Sequence, residues 1–148
     1  MLTGGRLAAA FLMMLAMIGA MVTYLDDARF FREDWPAPIV AAAIIGFAAG
    51  WSQLGGGLGR DFLASGMFGI GAGVVAIVFF ALIYGIRSAW ITHFGVQFDA
   101  PIDVVAHIIT TGLTVLESAI ASRRTLAALI LGSMTAGIIA EYFNRIWR

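Results

Sequence analysis

The residues able to do proton or metal chemistry in this chain are few, and the best-placed lie between positions 103 and 141. Asp103, His107, Thr110, Thr114 and Glu117 recur at steps of three and four, so on a helix they form one polar stripe. Asp103 and His107 stand one turn apart, the spacing of a pair that shares a proton or grips a metal ion. Glu117 lies too far along a straight helix to join them. Two ligands without a third make a weak metal site, and a solvent-facing stripe accounts for the same pattern. Glu141 is the other candidate. Deep in a membrane helix it would be an intramembrane acid with a functional role. Near the helix end it would pair with Arg145 at i,i+4, and this interfacial pair is the favoured reading.

Three further clusters invite chemistry and are better read without it. Asp26, Asp27, Glu33 and Asp34 offer oxygen ligands to a cation, but a hydrated acidic loop needs no ion. The stretch 55–61, GGGLGRD, has the glycines and the Arg60 charge to cradle a phosphate; a tight helix–helix connection, with Asp61 as the N-cap of the third span, explains it as well. Residues 71–76, GAGVVA, match G-x-G-x-x-A by letter. That fingerprint requires a preceding strand, and here it falls inside an apolar run, so a dinucleotide site is rejected. His93 reads as an ordinary interfacial histidine.

Composition narrows the field further. The chain has 148 residues, 61% of them hydrophobic, only 12% charged, and a mean hydropathy of +0.93. That is the membrane class. No cysteine is present, which excludes disulfides, thiolate nucleophiles, iron–sulfur clusters and thiolate-bound zinc. Every basic residue is arginine, which removes amine chemistry such as Schiff bases. The formal net charge is zero, so there is no nucleic-acid footprint. No catalytic residue, cofactor site or metal site is assigned, and the chain is expected not to be an enzyme.

The elements that would position these residues are apolar helices. A bilayer core of about 30 Å takes about 20 helical residues, and backbone in lipid must bond to itself. Spans are expected at about 7–25, 38–54, 62–86 and 125–146. The first also resembles a secretory signal peptide, but its apolar run is too long, and it reads as a retained anchor. Residues 101–121 carry the polar stripe opposite Val104, Val105, Ile108, Ile109, Leu116, Ala119 and Ile120, the pattern of a helix lying in the interface plane. The fold class expected is therefore all-α: one integral membrane domain over 1–148, a bundle of four transmembrane helices, plus one interfacial amphipathic helix between the third and fourth.

Small residues set the faces on which such helices approach one another. Gly46 and Gly50 form one face, Gly66, Gly69 and Gly73 a second, and Gly132 with Ala136 a third. The first is a plausible mate for the second. Trp35, Trp51, Trp90 and Trp147 each fall near a span end, where amphipathic rings settle. Four spans put both termini on one side. Arg6, Arg60, Arg145 and Arg148 lie there, against Arg29, Arg32, Arg87, Arg123 and Arg124 on the other, which is close to even. Arg6 ahead of the first span and the acids behind it favour cytoplasmic termini.

Taken together, these features resemble the TrgA family, small bacterial membrane proteins associated with tellurite resistance. The likeness runs through the Thr3–Leu7 start, the Gly46–Gly50–Trp51 end of the second span, and the glycine loop to Arg60. It continues through Gly66, the aromatic-Asp-x-Pro stretch at 98–101, and the last span with Glu141 and Trp147. The resemblance implies a multi-pass protein of the bacterial inner membrane linked to oxyanion tolerance, and it brings no reaction with it. The alternative is a structural accessory subunit of a larger photosynthetic or respiratory complex. The expected partners are the lipid bilayer and other membrane helices, either further copies of this chain or a larger membrane complex.

Overall fold

A computed structural model of the chain describes residues 4–28, 36–93 and 101–147, and among these there is helix and connection but no strand. We label the helices α1 (Gly4–Asp27), α2 (Pro36–Gly57), α3 (Phe62–His93), α4 (Pro101–Ala121) and α5 (Arg123–Ile146). All five are long and apolar enough to cross a membrane, the build of a multi-pass membrane protein. The expected number of such helices was four, and it is corrected to five because α4 qualifies beside the others. Its polar stripe is narrow, and Ile102, Val105, Ile109, Leu113 and Ile120 leave an apolar outer face one helix long.

Two boundaries also move. α3 runs past the expected end at residue 86 to His93, because no glycine or proline falls between Arg87 and His93 and the added turns bond α4 through Ser88 and His107. α2 continues through Gly57, with a π-helical turn at Gly50–Leu54, so Gly55 to Gly57 are helical and not the turn expected of them. The turn falls at Gly59, whose φ of 93° suits glycine and strains other residues. The peptide oxygen of Asp61 accepts from the Ser65 N–H at 2.9 Å, the first bond of α3. Residues 29–35 and 94–100, which include Glu33, Asp34, Trp35 and the 98–100 part of the family-like stretch, lie outside the described residues.

The bundle is built small inside and large outside. Ala9, Ala10, Met13, Ala42, Ala72, Ala76 and Ala140 are buried, whereas Leu15, Ile44, Leu63 and Leu131 are each at least 59% exposed. In lipid there is no hydrophobic drive between helices, so close packing of short side chains holds them. α1 and α5 run antiparallel along their length: Gly5 lies against Asn144, Ala16 against Gly132, and Asp27 against Arg124. The glycines of α3 lie on α5. A Cβ on Gly69 would strike the Ser133 carbonyl oxygen, and one on Gly137 the Ser65 carbonyl oxygen. Gly66 faces Met134 and Ile138, Gly73 faces Ser133, and Ala136 is buried.

The Gly46–Gly50 face, expected against α3, lies on α1. A Cβ on Gly50 would come within 2.7 Å of Met13 Cβ, and one on Gly46 within 2.9 Å of the Met13 carbonyl oxygen. The reason is mutual consumption: Ala9 and Ala10 offer α2 an equally thin surface, and the α3 face is already filled by α5.

This packing sets a contrast between two glycines of one helix. Gly69→Ala should lower stability by about 1–3 kcal/mol through overpacking. Gly71→Ala, where a Cβ meets nothing within 4 Å, should be neutral or stabilising by up to about 1 kcal/mol. Thermal unfolding of the two variants in one detergent is the measurement, and equal midpoints would discard the packing account.

Candidate functional site

Glu141 sits on the last turns of α5 and is 1% exposed, the sole buried carboxylate among the described residues. Its surroundings are built by three elements. The Gly59 N–H donates to Oε2 at 2.7 Å, the Ser65 hydroxyl donates to Oε2 at 3.3 Å, and Arg145 Nε donates to Oε1 at 3.0 Å. Arg145 Nη2 also donates to the Arg60 carbonyl at 2.9 Å, and its guanidinium lies 4.3 Å above the Phe62 ring. Arg60 in turn covers Phe68 at 4.5 Å. The i,i+4 pair with Arg145 is therefore present, but its carboxylate is buried and only the arginine is half exposed.

The arrangement is a clamp. A carboxylate taken from water must be paired and hydrogen-bonded, and Glu141 meets that need by tying α5 to the α2–α3 connection. It also disposes of the phosphate reading of the glycine loop, since the Gly59 N–H points at the chain's own carboxylate.

The second polar region lies at the opposite end, where α4 closes over α1, α3 and α5. Gly85 of α3 lies against the Ile108 carbonyl, and Gly112 of α4 against the Ala81 carbonyl, so two helix backbones touch. His107 places Nε2 3.2 Å from the Ser88 hydroxyl and 3.5 Å from that of Thr111, half-buried against α3. Asp103, Thr110, Thr114 and Glu117 are exposed. The Thr110 and Thr114 hydroxyls donate back to the Ala106 and Thr110 carbonyls at 2.9 Å each, the usual satisfaction of such groups in apolar surroundings. Among the described residues no group of three or more His, Asp or Glu side chains is placed to hold a metal ion.

Polar ties fasten this end. Tyr24 and Ser118 hydroxyls meet at 3.0 Å, and the Ser122 hydroxyl bonds Asp27. Asp27 also pairs with Arg124 at 3.6 Å. Ser122 caps α5, accepting from the Thr125 N–H at 3.2 Å. Beneath, Met21, Leu25, Pro38, Phe80, Tyr84 and Arg87 border a cavity of about 150 Å³.

Sequence reasoning missed Tyr24, Tyr84, Arg87 and Ser118 as a group. They come from three helices, α1, α3 and α4, and only Tyr84 and Arg87 share a helical spacing. The one available signal was that Tyr24 and Tyr84 fall near span ends, where ring-bearing residues gather. No protein-family model matches the chain, and neither curated proteins nor solved structures supply a match.

The clamp predicts an asymmetry between its two charges. Glu141→Ala takes the acceptor from the buried Ser65 hydroxyl and from the Gly59 N–H and should destabilise by about 1–3 kcal/mol. Arg145→Gln removes a half-exposed partner and should cost less than about 1 kcal/mol. Unfolding midpoints, with protease cutting at the 57–61 connection as a local readout, check this. The reverse order would refute the assignment of Glu141 as the anchoring member.

Proposed function

We propose that this chain is a non-enzymatic multi-pass protein of the bacterial inner membrane, of the tellurite-resistance-associated type. In this reading α1, α2, α3 and α5 cross the bilayer, α4 lies along one interface, and both termini are cytoplasmic. The observation that carries the four-crossing arrangement is the position of the helix ends. Gly4 lies against Trp147 at one end of the bundle, while Asp27 meets Ser122 and Arg124 at the other. α5 therefore runs back antiparallel to α1, and α4, packed antiparallel on the later turns of α3, finishes at the Asp27 end. A fifth crossing would instead bring α5 parallel to α1.

Two observations support a role without chemistry of its own. Glu141 and Asp27 are spent on ties between helices. Residues that carry the family resemblance, the glycine loop through Arg60 and Glu141, come together in the clamp, which makes their pattern a matter of architecture. The accessory-subunit reading loses its docking surface, because Gly46, Gly50, Gly66, Gly69 and Gly73 are used within the chain.

Topology and physiology are tested separately. Cysteines at Asp103 and Glu117 should react with an impermeant maleimide from one side, and a cysteine at Trp147 from the other. Labelling of Asp103 and Glu117 from opposite sides would mean that α4 crosses. Deletion of the gene should lower tellurite tolerance, with recovery on complementation by the intact chain. Unchanged tolerance would remove the tellurite link. A large particle of fixed composition after mild extraction would favour the accessory subunit.

A further inference from the structure

The hydroxyls around the cavity at the α4 end are mostly spoken for. Ser118 donates to the Val115 carbonyl at 2.9 Å, so in the Tyr24–Ser118 contact the tyrosine is the donor. Thr114 donates to Thr110. Two donor groups are left over. Among the described residues no hydrogen bond or ion pair engages the Tyr84 hydroxyl or the Arg87 guanidinium. They stand three residues apart on α3, on one face, and both border the cavity of about 150 Å³.

The walls below this pair are apolar. Met21, Leu25, Pro38 and Phe80 line the same cavity, and Phe80 stacks on Tyr84 with ring centroids 6.3 Å apart. The space continues into a recess at the α2–α3 seam, bordered by Ala37, Pro38, Ala41 and Ile83. Ile83 is 45% exposed on the outer, lipid-side surface of the bundle. The recess thus opens sideways, past a small-residue stretch of α2, and not along the bundle axis.

A cation and a phenol at a span end, over an apolar slot that opens laterally, match one chemistry: an anionic head on a hydrocarbon tail. We propose that Arg87 and Tyr84 hold the phosphate of an anionic phospholipid, whose acyl chain lies in the α2–α3 seam against Phe80 and Ile83. Arginine suits the head because its planar fork meets phosphate oxygens in pairs. The tail explains why the slot is lined by Pro38, Ala41 and Phe80 and not by further donors. The site rests on the chain being a membrane protein, and it goes beyond the proposed function by naming a ligand.

The experiment uses the full chain in vesicles of phosphatidylcholine mixed with phosphatidylglycerol, with lipid retained after mild extraction read by native mass spectrometry. Recovery of the chain in the membrane fraction is scored first, since its absence there defeats the membrane reading itself. The intact chain should retain phosphatidylglycerol in preference to phosphatidylcholine. Arg87→Gln should lower that retention about tenfold, the worth of one charge-assisted contact, and Tyr84→Phe by less. Arg123→Gln, an exposed arginine at the same end, should leave it unchanged. Ile83→Trp fills the seam with both donors intact and should also abolish retention, which keeps the test decisive if Arg87→Gln fails to fold. Equal loss in Arg87→Gln and Arg123→Gln, no preference in the intact chain, or full retention in Ile83→Trp would overturn the site. Displacement of the lipid by inorganic phosphate would assign the pair to a free anion and overturn the lipid source.

Discussion

Backbone contact between α3 and α5 is the constraint on which the rest of the bundle depends. At Gly69 and Gly137 each helix presses a glycine onto the other's carbonyl, at Ser133 and Ser65. No side chain fits between them. In lipid, where burying apolar surface gains nothing over leaving it in hydrocarbon, such dispersion contact is the main source of cohesion. Because the α3 glycine face is consumed there, α2 takes α1 as its partner, and the large apolar residues are left to face outward.

The crossing is locked at one end by a charge. Glu141 lies one turn beyond Gly137 on α5, and Ser65 belongs to both the backbone contact and the carboxylate's hydrogen bonds. The glycine-rich connection is therefore short and bent for a structural purpose: it must bring the Gly59 N–H to a buried carboxylate at a positive φ. A buried ion pair is weak evidence for stability in general, but it specifies register well. Here it fixes how far α5 slides along α3.

The other end is organised differently. α4 reaches α3 by thin contacts at Gly85 and Gly112, and is fastened to α1 and α5 by hydroxyl bonds from Tyr24, Ser118 and Ser122. Its outward surface has two characters, an apolar line at Ile102, Val105, Ile109 and Leu113, and a polar line at Asp103, Thr110, Thr114 and Glu117. That division suits a boundary between lipid and water. Val115 of α4 completes the wall of the cavity that α1, α2 and α3 border at this end.

By itself the sequence determined the class of fold and most of the helices. Long uncharged runs have no alternative to helix where water is absent, and glycines at steps of three and four mark thin faces wherever they occur. It also singled out Glu141 and Arg145, since their spacing is local. It set α4 aside as an interfacial helix, although a narrow polar stripe on an apolar helix is compatible with crossing as well as with lying flat. What only the tertiary structure decided was which faces meet. Every small-residue face is physically compatible with every other, so the pairing of α2 with α1 results from competition among all the helices. The burial of Glu141 was hidden for the same reason: its solvation depends on Gly59 and Ser65, which lie 82 and 76 residues away in the chain.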